Sequence, residues 1–128
     1  MINEKRQIPT TQELNLGTVS TATEALVNAG SVSLSAGVYA IQYNVAFTAN
    51  ATGYRAIGIN TTSTPTDISA HGYRFATRIN AVDGGQTVVT FTALDKLSSA
   101  STTFYFHVQQ NSGSTLNCYP RIFIVKLA

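Results

Sequence analysis

One stretch of sequence decides the fold class: VYAIQYNVAFT at residues 38–48. From Tyr39 onward, large apolar side chains at odd positions alternate with small or polar ones at even positions. Successive side chains of a strand point to opposite faces, so the stretch predicts a long strand with one buried face. The chain of 128 residues contains 37 Val, Ile and Thr, and β-branched residues favour strands over helices.

The same alternation predicts strands on either side of this stretch. They cover residues 53–60, 73–81, 86–94, 102–110 and 121–127, with weaker strands at 18–22 and 31–34. Residues 23–29 are the one segment in which we expect a helical turn, capped by Thr23 and ended by Gly30. Asp83-Gly84-Gly85 predicts a tight turn. Seven or eight short strands with regular turns predict an antiparallel β-sandwich.

Charge is scarce in this composition. Lys, Arg, Asp and Glu make up 11% of the chain, against a typical quarter, and 44 residues are Ser, Thr, Asn or Gln. A net charge of +2 without a basic cluster excludes nucleic acid as a partner. No apolar run approaches the roughly 18 residues of a membrane helix, so membrane insertion is not expected. The composition favours an extracellular or virion module.

The charges that exist divide the chain into two parts. Residues 1–13 hold four of them, whereas residues 14–54 hold only one, Glu24. We therefore predict that residues 1–14 form a tail or a connection to a stalk, and that residues 15–128 form one head domain. Cys118 is the single cysteine, which excludes an internal disulfide and a Cys-based zinc site. No metal or cofactor is expected.

Catalytic constellations are weak in this sequence. The histidines are His71, in a loop, and His107, within a strand, and no Gly-x-Ser-x-Gly motif accompanies them. Glycoside hydrolysis needs two carboxylates flanking the bond. The acids of the folded part lie in predicted loops, where turn chemistry also explains them: Glu24, Asp67, Asp83 and Asp95. A non-enzyme is predicted, and a glycan depolymerase with two acids roughly 5–10 Å apart stays open.

Three motifs resemble a known family. Gly37-Val-Tyr39 opens the long strand, Asn50-Ala-Thr-Gly53-Tyr-Arg55 forms a turn, and Gln110-Asn-Ser-Gly113 ends a later strand. This pattern resembles the C1q/TNF-like jelly rolls that form the trimeric heads of bacteriophage tail fibres and baseplate receptor-binding proteins. The resemblance covers residues 16–128 and departs from the family at Leu97–Ser101, where a Gly-Asp turn is usual. Arg55 needs a polar partner if it faces inward.

The resemblance implies a homotrimer with its N-termini gathered toward a stalk. A small domain without disulfides also gains stability by burying aromatic faces between subunits. The strand at 102–110 has large residues on both faces, so we expect Tyr105, His107 and Gln109 to face the threefold axis or a neighbouring subunit.

The function expected from this resemblance is contact between a virion appendage and a host-surface saccharide. Aromatic rings stack on sugars and amides bind their hydroxyls. The candidate ligand-binding residues lie near predicted strand ends and are Tyr54, Asn60, His71, Tyr73 and Arg74. The alternative is a purely structural trimerisation cap of a virion or a bacterial surface filament. We expect the protein in the virion, and outside the cell after release.

Overall fold

Two antiparallel sheets pack face to face in the computed structural model, which describes residues 10–68 and 72–128. The strands of this part of the chain are β1 (Thr10–Asn15), β2 (Val19–Thr21), β3 (Val27–Leu34), β4 (Gly37–Phe47), β5 (Tyr54–Asn60), β6 (Phe75–Asn80), β7 (Thr87–Leu97), β8 (Thr102–Gln110) and β9 (Leu116–Lys126). The predicted all-β class and the predicted sandwich are confirmed.

The strand order gives the sandwich a jelly-roll topology. The five-stranded sheet has the order β1-β9-β4-β7, with β2 also beside β9, and the four-stranded sheet has the order β3-β8-β5-β6. From β2 onward the chain crosses to the other sheet at every connection except that between β5 and β6. Neighbouring strands are therefore mostly distant in sequence, and the sheets depend on non-local pairing.

The core lies between the sheets and is built from the predicted alternation. The odd-numbered residues of β4 from Tyr39 to Phe47 point inward and are buried, as are Phe104, Phe106 and Val108 of β8. β4 occupies the centre of its sheet, where it pairs with β7 on one side and β9 on the other. The inner faces predicted for β4, β5 and β8 are confirmed.

Three local predictions need correction. Residues 23–29 form no helical turn: the chain turns at residues 23–24, and β3 begins at Val27 because it pairs with Val108 of β8. The last strand starts at Leu116, five residues earlier than predicted. The turn at Asp83 is confirmed, but β6 and β7 lie in different sheets, so it joins no hairpin.

The predicted tail overlaps the first strand. Residues 10–14 belong to β1, which pairs with β9 from Thr10 opposite Lys126 to Asn15 opposite Arg121. Leu14 packs against the core, and Glu13 accepts a hydrogen bond from Arg121 at 2.6 Å. The sheet thus begins before the predicted boundary at residue 15. Residues 1–9 lie outside the described residues, and the division into tail and head stays a prediction.

Candidate functional site

A cover segment, residues 61–68 together with Tyr73, packs on the outer face of the four-stranded sheet. The Tyr73 ring lies directly over Gly58, where an added Cβ would be 2.5 Å from Cδ1 of the ring. The Tyr73 hydroxyl is 2.8 Å from Nδ1 of His107, and the backbone N–H of Ile68 donates to Oε1 of Gln109 at 3.0 Å. Two polar side chains of β8 therefore hold the cover segment in place.

His107 has a structural role in this arrangement. Its side chain is buried, and burial lowers its pKa, an effect that the backbone of Ser63 partly offsets. The Tyr73 hydroxyl that contacts it also bonds the backbone oxygen of Thr66 at 3.0 Å. A neutral imidazole held by a tyrosine that is itself tied to the cover segment fits a packed histidine better than a catalytic one.

Two of the three β8 residues predicted to face the threefold axis or a neighbouring subunit, His107 and Gln109, are buried by the cover segment of the same chain. The sequence shows that β8 has large residues on both faces. It does not show that the long β5–β6 connection folds back over the outer face. Tyr105 is half-buried, and its place in a subunit interface stays a prediction.

The residues predicted to bind a ligand do not converge on one place. Tyr54 begins β5 and Asn60 ends it, so they lie about 20 Å apart along the strand. Tyr54 is buried, with the Arg78 guanidinium 3.6 Å from its ring centroid. Tyr73 is engaged with His107, and His71 lies outside the described residues.

Arg74, the fifth predicted residue, makes an ion pair instead of an open contact. Its Nη2 donates to Oδ1 of Asp95 at 2.8 Å and its Nε donates to the other carboxylate oxygen. Asp95 belongs to β7, so this bidentate pair joins the two sheets at their edge. Arg74 precedes β6 in the four-stranded sheet and serves the packing of the sandwich.

The family motif forms a polar network at one end of the sandwich. Arg55 is fully buried, and its guanidinium donates to three backbone oxygens: those of Asn50 at 2.7 Å, Thr52 at 2.9 Å and Tyr54 at 3.0 Å. The expected polar partner of Arg55 is therefore the backbone of its own turn. Its guanidinium carbon also lies 5.8 Å from the centroid of the Phe47 ring, at the end of β4.

The rest of the motif completes this network. Gly53 has φ of 76°, and a Cβ there would be 2.3 Å from the backbone oxygen of Asn111. Gln110 donates to the backbone oxygens of Thr21 and Ser114 and accepts from Ser112. The other motif residues lie at turns or near the start of β4. The Asn50 side chain accepts a hydrogen bond from the backbone of Thr52, and the backbone of Gly113 donates to the Thr23 hydroxyl. Gly37 begins β4, and the Tyr39 hydroxyl donates to the backbone oxygen of Ser35. The motif residues hold the fold together.

The cover segment packs on the outer face of the four-stranded sheet. The outer face of the five-stranded sheet, by contrast, has exposed apolar side chains. Its outward side chains on β4, β7 and β9 are small, amide, hydroxyl or apolar, and the charged ones are Lys96 and Arg121, of which Arg121 pairs with Glu13. Leu94 is 69% exposed, Val88 53% and Tyr119 36%. Sequence reasoning did not single out this face, although the small or polar even-numbered residues 40–46 indicated it.

A cavity of about 290 Å³ opens between the sheets at the end opposite to Arg55. One wall comes from β1, β9 and the start of β4, and the other from the end of β3. Its lining residues are Thr10, Thr11, Gln12, Ser33, Leu34, Ser35, Tyr39, Ile124 and Lys126. Of the predicted ligand-binding residues that the structure describes, Tyr54, Asn60, Tyr73 and Arg74, none lines this cavity.

Residues 10–68 and 72–128 contain few side chains arranged for metal binding or for carboxylate chemistry. No group of three or more His, Cys, Asp or Glu side chains lies close enough there to hold a metal ion. The carboxylates of Asp95 and Glu13 are occupied by Arg74 and Arg121. The same ranges contain no helix with the length and apolarity to cross a membrane.

The comparison with known proteins is informative at the level of structure. No protein-family model and no curated sequence matches the chain. VP2 of infectious bursal disease virus, in a subviral particle, matches with a TM-score of 0.60 and 9% identity over 98% of this chain and 37% of that chain. Eiger TNF from S. frugiperda matches with a TM-score of 0.61 and 11% identity over 95% of this chain and 94% of that chain.

A second viral structure, of infectious bursal disease virus strain Gx, has a TM-score of 0.62 at 9% identity over 94% of this chain and 32% of that chain. The chain thus spans about a third of the length of the viral chains that it matches. At such identities the likeness concerns the fold alone. The chain is an antiparallel β-sandwich with the jelly-roll fold found in Eiger TNF and in VP2 of this virus.

Proposed function

We propose that the chain is a non-enzymatic structural head domain of a virion appendage, such as a phage tail fibre, and that it assembles as a homotrimer. The observation that carries the proposal is the outer face of the five-stranded sheet, where Leu94 and Val88 are exposed in a nearly uncharged surface. Exposed apolar area rimmed by polar groups marks interaction sites. On the outer face of the other sheet, the cover segment already buries His107 and Gln109.

The mass of the protein in solution tests this assembly. Light scattering of the full chain at micromolar concentration is expected to give three times 13.6 kDa. Leu94→Asp places a charge in the proposed interface and is expected to give single chains, since an unpaired buried charge opposes association. Val82→Asp is the matched control: Val82 is also 53% exposed but lies in the turn before β7, so the trimer should persist.

Two results would contradict the proposed assembly. One is a single-chain mass for the unaltered protein. The other is an unchanged trimer mass for Leu94→Asp, which would move the interface to another surface, with Tyr105 of β8 as the remaining predicted contact.

The second part of the proposal is attachment to a host-surface saccharide, which would place the protein on the virion and outside the cell. The specific observation in its favour is the open, hydroxyl-lined cavity at the Lys126 end. The residues first predicted for this role, such as Tyr73 and Arg74, are engaged in holding the fold. The alternative is a trimerisation cap that binds no ligand, for which glycan-array binding would be absent while the trimer mass is normal.

A further inference from the structure

The inner face of β1 changes from apolar to polar along its length. Leu14 pairs with Ile122 and packs on the core, as an inward position should. The next inward residue toward the start of the strand is Gln12, opposite Ile124, and the next is Thr10, opposite Lys126. Side chains paired across two strands share a face, so an amide, a hydroxyl and an ammonium occupy positions that would ordinarily close the core.

These side chains surround open space. Thr10 and Gln12 are exposed although they face the other sheet, because the sandwich is wedged open between its edge strands β1 and β3. Ser35 on the opposite wall is exposed into the same cavity, whereas Ser33 faces the outer side of β3, where its hydroxyl is 2.8 Å from that of Thr103. Exposed polar side chains around an open cavity can hydrogen-bond to a polar occupant.

Lys126 sets the charge of that occupant. Its Nζ lies 3.4 Å from Oγ of Ser35, at the outer limit of a hydrogen bond, and 5.9 Å from the centroid of the Tyr39 ring. Among the described carboxylates none forms an ion pair with it, and the lining of the cavity contains no Asp or Glu. A half-buried ammonium that forms no ion pair within this part of the chain can bind an anionic ligand.

The rest of the lining describes the body of the ligand. The hydroxyls of Thr10 and Ser35 and the amide of Gln12 can donate to and accept from ligand hydroxyls, while Leu34, Ile124 and the Tyr39 ring offer apolar surface. At about 290 Å³ the cavity lies at the lower end of ligand-site volumes, which start near 300 Å³. It suits a single ring and not a chain of sugars.

We propose that this cavity binds one sugar ring that bears a carboxylate, a uronic-acid residue, with the carboxylate at Lys126 and the ring hydroxyls toward Thr10, Gln12 and Ser35. The inference rests on the attachment part of the proposed function and names its ligand class and its site.

An NMR titration of the full chain with glucuronate, glucose and acetate tests the proposal. Glucuronate is expected to shift the amide signals of residues 33–35 and 124–126 and to bind more tightly than glucose or acetate. Lys126→Gln should weaken glucuronate binding about tenfold and leave glucose binding unchanged, because only the charge-assisted bond is lost. Arg78→Gln is the control, since it removes an exposed cation from the four-stranded sheet at the Tyr54 end, away from the cavity.

The outcomes separate this inference from the assembly. Absence of shifts up to tens of millimolar glucuronate, or equal affinity of Lys126→Gln and the unaltered protein, overturns it. Shifts that map away from the cavity overturn the site, and acetate as tight as glucuronate overturns the sugar. Glycan-array binding that is insensitive to Lys126→Gln supports attachment through another surface and also overturns the cavity. The trimer mass of the same samples reports on assembly independently.

Discussion

Arg55 of β5 and Lys126 of β9 are two cations that lie near opposite ends of the central strand β4. They differ in the hydrogen bonds that they make. Arg55 lies near Phe47 at the end of β4, is fully buried and donates to three backbone oxygens. Lys126 lies over Tyr39 near the start of β4, is half-buried and has one weak hydrogen bond to Ser35.

Arg55 is therefore a structural charge, whereas the ammonium of Lys126 has unused hydrogen-bond donors. The bonds of Arg55 are made within its own turn, so removing the side chain leaves buried acceptors without a donor. Lys126 has donors to spare and open volume before it, so its removal costs the fold little. The sequence motifs of the resemblance contain Arg55 and not Lys126, so they mark the cation of the framework and not that of the cavity.

The largest effect is expected for Arg55→Leu. The substitution leaves the backbone oxygens of Asn50, Thr52 and Tyr54 without their charged donor, which should cost about 3 kcal/mol of unfolding free energy. Urea unfolding followed by circular dichroism measures the change. Arg78→Leu is the control, because Arg78 is exposed and should cost under about 1 kcal/mol. Equal losses for the two variants would contradict a structural role specific to Arg55.

Gly53→Ala should follow with a loss of about 2 kcal/mol. Its φ of 76° disfavours any residue with a Cβ, and the added carbon would meet the backbone of Asn111, which cannot rotate away. Gly84→Ala is a matched control, since Gly84 has φ of 79° but nothing within 4 Å of an added Cβ. The comparison isolates the cost of the close approach, and a loss no greater at Gly53 than at Gly84 would refute it.

The pH dependence of the unfolding free energy tests whether His107 is buried beneath the cover segment. Burial lowers its pKa in the folded protein below the ordinary 6.5, so the unfolded chain binds more protons as pH falls below about 6.5. The free energy of unfolding should therefore decrease toward acid, by no more than about 1.4 kcal/mol per pH unit from this group. Unfolding of the unaltered protein and of His107→Gln from pH 7.5 to 5.5 measures it. Parallel pH profiles would show that His107 does not contribute.

The smallest effect is expected for Lys126→Gln, whose unfolding free energy should stay within about 0.5 kcal/mol of the unaltered protein. The ammonium has no ion pair among the described residues and lies 5.9 Å from the centroid of the Tyr39 ring, so its loss removes no strong contact. A loss comparable to that of Arg55→Leu would make Lys126 a structural charge and remove the contrast between the two ends. Thermal unfolding of the two variants side by side gives the comparison.

The sequence predicted those features that depend on local periodicity. β4, β5 and β8 match their predicted ranges within one residue, because each has a regular alternation of side chains. β3 was predicted too short: residues 23–29 carry a pattern compatible with a helix, and pairing with β8 overrides it. The first half of β9 was missed because Pro120 interrupts the strand signal.

The site depends on contacts that no local pattern contains. The burial of His107 and Gln109 follows from a connection that folds over its own sheet, and Tyr73 meets His107 across 34 positions of sequence. The cavity combines Thr10, Ser33 and Lys126 from three distant strands. The sequence shows that Thr10 and Gln12 are polar. The direction in which their side chains point is defined only once the register of β1 with β9 is known.

β1 also determines how the domain responds to mechanical load. Any force transmitted through the residues before Thr10 enters the sandwich at the first of six residue pairs between β1 and β9. A pull along the strand axis shears all six pairs at once, whereas a sideways pull unzips them one after another from Thr10. The Glu13–Arg121 bond lies near the far end of this ladder, and the Lys126 cavity lies at its loaded end. Sideways tension on the N-terminus would thus open the cavity wall before it disturbed the core.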